Sequence, residues 1–460
     1  MRLPLVTSTI IALSSLNAAY ADTFNVPADF PFIQTAIDVA QSGDNILVEA
    51  GTYVERIDFL GKAITITSVS GSSNTILDGS AAGSVVSFIS GEALNSVLDG
   101  FTIRSGSSLH GGGVTISNSS AVIQNCLITG NQATLSGGGM YVDVGSVQLE
   151  NVVFEGNDSG GAGGAIYLKE SGASITGVNI ISNAATNGGG LYIKDSVSTI
   201  EISGVTFREN DVTESGGGIF VKNSELNVDN CIFDLNSSND GGAWFSYAGG
   251  DATVTNSTFT SNSASGLGGA ANVRSNSTVS FIQCTFDSNV ADSDCDAVGG
   301  GAILNIANSL VTLDEPTICN NVLCDTEDMF YGDSPIILGD IFDCTVTDGP
   351  GACCGGSACW VMEEVDCIEG GGAWNGAGSA CADVLCDGGG GDTTGACCVT
   401  GSCVHATEAS CVDAGGVFYG TSATCETTTC QSSCAEDVNG DGMVDVNDLL
   451  SLISAWGMCP

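Results

Sequence analysis

Basic side chains are scarce in this 460-residue chain. It contains nine Lys and Arg residues against 53 Asp and Glu residues, which gives a formal net charge of −44. Proteins that bind nucleic acid neutralise its phosphates with clustered Lys and Arg, so we expect no nucleic-acid partner. The acidic excess instead favours solubility and the loose binding of cations.

Long apolar runs are missing after the first 21 residues. The chain begins with Met1-Arg2, an apolar run from Leu3 to about Leu16, and Ala19-Tyr20-Ala21. This basic start, short apolar segment and small-x-small end are typical of a secretory signal peptide. We predict residues 1–21 as that peptide, and hence a protein secreted into the extracellular space or held at the cell surface. No later stretch has the roughly 20 apolar residues of a membrane-spanning helix, so no transmembrane segment is expected.

Signatures of catalysis are also sparse. The two histidines, His110 and His405, are isolated in the sequence, and we interpret both as surface residues. No Ser-His-Asp arrangement and no phosphate-binding loop can be identified. The catalytic residues are therefore unassigned, and the sequence does not decide whether the protein is an enzyme.

The chain does contain a phrase that is repeated between about residues 111 and 321. Its first half is Gly-Gly-(Gly/Ala) followed by alternating apolar and polar residues, and it starts at Gly137, Gly163, Gly188, Gly216, Gly241, Gly268 and Gly300. Its second half is a strand that ends in Phe-x-x-Asn or Ile-x-x-Asn, with the asparagines at Asn131, Asn157, Asn183, Asn210, Asn236, Asn262 and Asn289. These asparagines recur every 26 or 27 residues.

A fixed period of this length, built from strands and tight turns, indicates a solenoid. It matches one coil of a parallel β-helix with three short strands, in which successive coils pair at roughly 4.8 Å. We predict an all-β right-handed parallel β-helix of roughly 11 coils and about 50 Å in length. Equivalent residues of successive coils should then stack in files along its axis.

The two-residue alternation of a strand predicts which files point inward. One apolar file contains Ile128, Phe154, Ile180, Phe207, Phe233, Phe259 and Phe286. A second contains Cys126, Val152, Val178, Val205, Cys231, Ser257 and Cys284. Its cysteines lie at least two coils apart, too far to form disulfides, so we expect free buried thiols. We place the recurrent asparagines in left-handed turns, with their amides bonded from coil to coil, and the Gly-Gly pairs at the other sharp turn.

Two outward files follow the Gly-Gly turn. The aromatic ladder lies two residues beyond the third Gly/Ala position and consists of Tyr141, Tyr167, Tyr192, Phe220 and Phe245. The basic stripe lies two residues further on and consists of Lys169, Lys194, Lys222 and Arg274, with Asp143 and Tyr247 in the same file. We predict a substrate-binding groove for an acidic polysaccharide, in which rings stack on sugars and cations pair with carboxylates or sulfates. The alternative is that the rings only pack against each other and that the lysines are solvated neighbours of Glu170 and Asp195.

The GGA(I/L/V) and FxxN phrases resemble the repeats of polymorphic outer-membrane proteins and, more broadly, the pectin-lyase-like β-helices. Residues 24–53 resemble the N-terminal cap of that superfamily, with a helix from about Phe32 to Ala40 that covers the open end of the coils. The resemblance covers residues 22–345. It implies the fold but not one activity, because the superfamily contains lyases, hydrolases, esterases, adhesins and spacers. A hydrolase of this fold needs several converging carboxylates, and a lyase needs a Ca²⁺-binding acidic cluster facing a basic residue; no such motif matches here.

Most of the 21 cysteines lie near the C-terminus, and in an exported chain they indicate disulfides. Cys295, Cys319, Cys324 and Cys344 are expected to form two disulfides that close the end of the β-helix. Residues 346–388 and 395–431 are two copies of one six-cysteine module, offset by 44 residues. Three disulfides should hold each copy, with the pairing left open. A metal site is the alternative, but no Cys-x-x-Cys pair supports it, and we interpret the modules as a stalk or spacer.

Residues 432–460 carry the most specific motif. An EF-hand-like Ca²⁺ loop is predicted from its oxygen ligands and its central Gly442, and the expected ligands are Asp437, Asn439, Asp441, Met443 through its carbonyl, Asp445 and Asp448. The loop and the flanking Cys434 and Cys459 resemble a dockerin, although dockerins have two such loops. The resemblance implies a cohesin-like or cell-surface docking partner.

We therefore predict a secreted or surface-attached β-helix that acts as a binding or adhesive surface for acidic polysaccharide and is anchored through its C-terminal tail. One alternative is a polysaccharide lyase or glycoside hydrolase of the pectin-lyase-like superfamily. The other is a structural surface spacer.

Overall fold

The structure of the protein is a computed structural model. It describes residues 21–291, 304–323, 330–332, 335–338, 342–343, 351–355, 358–362, 373–377, 395–399, 402–406, 411, 417–418 and 425. The chain divides into two compact units, Met1–Thr345 and Val346–Pro460. The predicted Ca²⁺ loop and the predicted signal peptide, apart from Ala21, lie outside the described residues, as do Cys295, Cys324 and Cys344.

The first unit is an all-β parallel solenoid of about 11 turns, as the period predicted. From Ser107 onward each coil contributes to three sheets, and the coils before it contribute to two of them. Strands pair in parallel with the equivalent strand of the next coil, for example Tyr141 with Tyr167 and Tyr167 with Tyr192. Sheet 1 contains the strands Thr23–Val26, Asn45–Val48, Ile57–Asp58, Thr65–Ser68, Val86–Phe88, Val97–Asp99, Val114–Gln124, Met140–Glu150, Ile166–Thr176, Leu191–Lys194, Ile200–Ser203, Ile219–Asp229, Trp244–Thr255, Ala271–Arg274, Thr278–Ile282, Leu304–Ala307, Leu310–Asp314, Phe330–Gly332 and Ile336–Leu338.

The other two sheets have shorter strands. Sheet 2 contains Gly51–Tyr53, Thr75–Asp78, Thr102–Arg104, Leu127–Thr129, Val153–Glu155, Asn179–Ile181, Thr206–Arg208, Ile232–Asp234, Thr258–Thr260, Thr285–Asp287, Thr317–Cys319 and Phe342–Asp343. Sheet 3 contains Ser107–His110, Gln132–Ser136, Asp158–Ser159, Ala184–Asn187, Asp211–Ser215, Ser237–Ser238, Ser263–Ala264, Val290–Ala291 and Val322–Leu323.

The chain turns at each corner of a coil through a residue in the left-handed conformation, with a positive φ. In sheet 1 the long strands bend where a single residue such as Val144 or Glu170 has a φ of 56° or 48°, so this sheet presents two outer faces. At the Gly-Gly corner, Gly137 has a φ of 68°, and a Cβ atom there would lie 2.2 Å from the Met140 carbonyl oxygen. The FxxN corner differs from the prediction, because the left-handed residue is the one before the asparagine. Gly156, for example, has a φ of 62° and Asn157 does not have a positive φ.

The recurrent asparagines point inward instead. Asn131, Asn157, Asn183, Asn210, Asn236, Asn262 and Asn289 are all at most 1% exposed. Each side-chain amide donates to the amide oxygen of the next asparagine at 2.9–3.1 Å, and Asn321 continues the series. The same amides also donate to a backbone carbonyl, as Asn236 does to Phe207 O at 2.9 Å. This interior ladder satisfies the buried backbone at the corner, as buried polar groups require, and the predicted coil-to-coil bonding is confirmed.

The two predicted inward files form the core. Ile128, Phe154, Phe207, Phe233, Phe259 and Phe286 are fully buried. Cys126, Cys231 and Cys284 are free and buried, as expected. Burial raises the pKa of the Cys126 thiol to about 12 and that of Cys231 to about 11.

A helix, Ile33–Val39, covers the first coils, close to the predicted span. Ile33, Ala36 and Ile37 of this helix are buried in the same core. The carboxylate of Glu55 accepts hydrogen bonds from the backbone N–H groups of Ile33 and Gln34, both at 3.0 Å, and so caps the start of the helix.

The second unit contains two three-stranded antiparallel sheets. One consists of Gly351–Gly355, Ala358–Met362 and Ala373–Ala377, and the other of Gly395–Val399, Ser402–Ala406 and Val417–Phe418. Their registers correspond residue by residue, since Cys354 faces Cys359 in one and Cys398 faces Cys403 in the other. A disulfide joins Cys397 and Cys411. The other predicted disulfides of the modules stay a prediction, with their pairing open.

Candidate functional site

The aromatic ladder lies on the outer side of sheet 1, beside the Gly-Gly corner. Parallel register places its five rings directly above one another. Neighbouring ring centroids are 4.6–5.4 Å apart, and their planes differ by 2–22°. Such face-to-face contact follows from the coil spacing, because identical positions in a parallel sheet repeat at roughly 4.8 Å.

The stack is closed at both ends. The His110 ring lies 4.7 Å from the Tyr141 ring, and the Arg274 guanidinium lies 4.8 Å from the centroid of Phe245. Phe220 and Phe245 are only 8% and 5% exposed. The ring faces are therefore in contact with other side chains, which leaves no face for the predicted stacking of sugar rings. A ligand would meet ring edges and the polar groups beside them.

The basic stripe runs alongside this ladder, with Lys169, Lys194, Lys222, Tyr247 and Arg274 in one register file. Lys169 Nζ lies 3.0 Å from Asp143 and 3.5 Å from Glu170. Lys194 Nζ lies 3.5 Å from Asp195.

The other two cations of the stripe, Lys222 and Arg274, lie against aromatic rings. Arg274 donates to the Asp240 carboxylate at 2.6 Å. Lys222 Nζ lies 5.5 Å from the centre of the Tyr247 ring, within the range of a cation–π contact. Four carboxylates thus accompany the four cations, and the stripe is close to electrically neutral. Sequence reasoning identified the stripe but did not predict this pairing with Asp143 and Asp240.

Burial and the neighbouring Asp143 raise the proton affinity of several of these groups. Burial, assisted by Asp143, raises the pKa of Tyr141 to about 12, and burial raises that of Tyr192 to about 12. The hydrogen bond and the charge of Asp143 raise the pKa of Lys169. A general base must be deprotonated near the working pH, and these side chains hold their protons well above neutral pH.

A second feature lies on the other outer face of sheet 1, beyond the bend. It is a depression of about 370 Å³, which we call the acidic groove, lined by Thr176, Glu201, Ile202, Ser203, Asn227, Val228, Asp229, Thr253 and Thr255. Asn227 donates to Glu201 at 3.0 Å, and Thr255 and Asn256 donate to Asp229 at 2.6 and 2.9 Å. These hydrogen bonds lower the pKa of Asp229.

The acidic groove was not predicted. Its sequence signal is weak, because Glu201, Asn227 and Thr253 share a register file but not a residue type. Its polar lining groups are carboxylates, an amide and hydroxyls, Ile202 and Val228 also line it, and no Lys or Arg is among the described residues that do so. It suits a neutral polyol or a cation better than an anion.

Other site predictions can be located only in part. Within the described ranges no group of three or more His, Cys, Asp and Glu side chains is arranged to hold a metal ion. No helix in the same ranges is long and apolar enough to cross a membrane. His405 lies in the Ser402–Ala406 strand of the second unit, remote in sequence from the ladder.

Comparison with known proteins supports the fold and leaves the activity open. Residues 159–359 match a family model described as "Right handed beta helix region". No curated protein matches this chain. Among solved structures, the chain is similar to an alginate lyase from Paenibacillus sp. str. FPU-7, with 14% identity, 70% of this chain and 99% of that one covered, and a TM-score of 0.28. It is also similar to an endo-xylogalacturonan hydrolase from Aspergillus tubingensis, with 15% identity, 70% and 100% covered, and a TM-score of 0.25.

The family match and the three parallel sheets agree that the main unit has the fold of a right-handed parallel β-helix. The fold by itself does not imply an activity.

Proposed function

We propose that this protein is a secreted or surface-attached glycan-binding β-helix whose contact surface is the ladder side of sheet 1. The observation that carries the proposal is the basic stripe, since Lys169, Lys194, Lys222 and Arg274 lie in one file on an otherwise acidic molecule. The expected ligand is an acidic polysaccharide that lies along the axis of the solenoid.

The charge balance of this face explains why an acidic chain would approach here. A net charge of −44 repels anions from most of the surface. Along the stripe, four cations offset Asp143, Glu170, Asp195 and Asp240. A glycan carboxylate could replace one of these partners at little cost, because an exposed ion pair contributes only about 0–1 kcal/mol.

Lys194 and Lys222 should exchange partners most easily. The Lys194–Asp195 separation is 3.5 Å, and Lys222 has no carboxylate within 4.0 Å among the described residues. By contrast, Arg274 and Lys169 have partners at 2.6 and 3.0 Å. The ladder beneath would act as a rigid support rather than as a stacking platform, because its ring faces are occupied.

The test compares two charge-matched double variants on immobilised acidic polysaccharides. Lys194→Glu with Lys222→Glu should weaken retention by about tenfold or more, and salt should abolish the retention of the natural protein. Arg104→Glu with Arg208→Glu makes the same change of charge on the outer side of sheet 2, where both arginines lie in salt bridges. Equal losses in both variants would show a non-specific charge effect and would reject the stripe as the site.

The second candidate function is a polysaccharide hydrolase or lyase. It is favoured by the acidic groove, where Glu201 and Asp229 line one depression, because glycoside hydrolysis uses two carboxyl groups. Incubation with neutral and acidic polysaccharides would be followed by reducing ends and by ultraviolet absorbance of unsaturated products. Catalysis in the groove would be established if the natural protein and the Lys194/Lys222 variant release reducing ends and the Glu201→Gln and Asp229→Asn variants do not. Retention without product supports a binding protein. The absence of both retention and product would favour a structural spacer.

We also propose that residues 432–460 bind Ca²⁺ and attach the protein to a cohesin-like or cell-surface partner. The support is the ligand spacing from Asp437 to Asp448, which follows the loop positions that Ca²⁺ sites use. Calorimetric titration of the full chain at physiological salt should show one tight site above a weak background. Asp441→Ala should remove the tight site alone; its persistence would disprove the loop.

A further inference from the structure

The first strand of the solenoid begins immediately after the predicted cleavage point. The Asp22 carbonyl accepts a hydrogen bond from Asn45 N–H at 2.8 Å. The Asp22 N–H itself donates to Asp44 Oδ1, also at 2.8 Å. Residue 22 is therefore held on both sides, and Thr23–Val26 then pairs in parallel with Asn45–Val48.

The acceptor is a buried carboxylate. Asp44 is 5% exposed, and its other oxygen accepts only a backbone N–H, that of Gln41 at 2.7 Å. No Lys, Arg or His nitrogen of the described chain lies within 4.0 Å of it, whereas the half-buried Asp143 and Asp195 both have lysine partners. A buried carboxylate without a cation is costly, so Asp44 is a site that an added positive charge would improve.

We propose that cleavage between Ala21 and Asp22 supplies that charge, and that the new amino terminus is the ionic partner of Asp44. An endopeptidase of the exporting cell adds water across this peptide bond. Ala21 leaves with the carboxylate, and the Asp22 nitrogen becomes an α-amine that is protonated at neutral pH, since such groups have a pKa near 7.7–8.0. A neutral amide hydrogen bond at 2.8 Å is thereby converted into a salt bridge between the α-ammonium group and Asp44.

The consequence is that removal of the leader strengthens the open edge of the solenoid. Thr23–Val26 is the first strand of sheet 1 and, among the described residues, pairs with Asn45–Val48 on one side only. Its far end is held by the bond from Glu49 N–H to the Val26 carbonyl at 2.9 Å. An ionic anchor at Asp22 would hold the other end, where the strand would otherwise fray first. This inference extends the predicted leader boundary and is independent of glycan binding.

The experiment measures amide hydrogen exchange in a peptide spanning residues 22–30. Two forms of the full chain from residue 22 are released from a cleavable fusion, one starting at Asp22 and one with a single glycine before it. The added glycine should speed exchange in this peptide by about fivefold, because a charge-assisted hydrogen bond is roughly twice as strong as a neutral one. A peptide from the central coils, residues 206–234, should exchange equally in both forms.

Two substitutions test whether the difference in exchange depends on the charge of Asp44. Asp44→Asn should speed exchange in both forms and remove the difference between them. Asp29→Asn lies in the same segment, where Asp29 accepts from Asn25 N–H at 2.7 Å, and should preserve that difference. Equal exchange in the Asp22 and Gly-Asp22 forms would overturn the proposal. So would an intact mass of the secreted protein that begins at a residue other than Asp22.

Discussion

Two stacks of aromatic rings run along this solenoid, one inside and one outside. The inner stack joins Phe207, Phe233, Phe259 and Phe286 with centroids 4.5–5.0 Å apart and planes within 15°. The outer stack is the aromatic ladder, with centroids 4.6–5.4 Å apart and planes within 22°. Their geometries are nearly the same.

Their surroundings differ. The inner rings are fully buried beside the asparagine ladder, whereas the outer rings lie beside lysines, an arginine and carboxylates. Ring stacking therefore follows from the register of a parallel β-helix and does not by itself indicate a binding site. The charged groups beside a stack are what distinguish a functional surface from a packed core.

The largest expected effect compares one substitution in the two stacks. Phe233→Ala should destabilise the solenoid by about 3–5 kcal/mol, because it leaves a cavity that neighbouring coils cannot fill. Tyr167→Ala, at a half-buried position of the outer stack, should cost about 1–2 kcal/mol, since solvent can occupy part of the space. Urea unfolding followed by circular dichroism measures both. Equal costs would mean that the outer stack is as much a part of the core as the inner one.

The next effect compares an inner with an outer amide. Asn236 donates to Phe207 O and to Asn262 Oδ1, and it accepts from Asn210. Asn236→Leu leaves buried backbone groups without a hydrogen-bond partner and should cost about 3 kcal/mol. Asn227→Ala removes the exposed hydrogen bond to Glu201 and should cost less than about 0.5 kcal/mol. If the two variants unfold at the same urea concentration, the ladder does not satisfy the corner as described.

A smaller effect should appear at alkaline pH. Burial raises the folded-state pKa of Tyr192 to about 12, above the ordinary value of 10.0. The folded state then retains a proton that the unfolded chain releases, so this contribution to stability is present below pH 10 and is lost as the pH rises towards 12. Absorbance of phenolate at 295 nm should show a transition near pH 12 that is reduced in Tyr192→Phe. A transition complete by pH 10.5 would contradict the burial of the ladder.

The smallest effect on stability is expected from the basic stripe itself. Lys194→Gln with Lys222→Gln should leave the urea midpoint of the natural protein unchanged, because exposed ion pairs contribute little. The same variant should lose retention on acidic polysaccharide. A clear shift of the midpoint with unchanged retention would reverse the assignment and make the stripe a structural feature.

The sequence repeat alone was enough to predict the fold of the main unit and the residues that stack along it. A 26- or 27-residue period and a two-residue alternation are properties of the chain, so the parallel solenoid, the inward Phe and Cys files, the outward Tyr and Lys files and the helix near Phe32 could all be predicted. Alternation states which side a residue faces, and the constant period states which residues it stacks upon.

The tertiary structure alone decided what each file contacts. The sequence places Lys169 below Lys194 but does not show that Asp143 lies 3.0 Å from one and Asp195 3.5 Å from the other. It does not show that His110 and Arg274 close the two ends of the ring stack, or that Glu201 and Asp229 line one groove. These contacts depend on corner angles and on side-chain directions across coils, and residues about 26 positions apart do not encode distances of a few ångströms in their spacing.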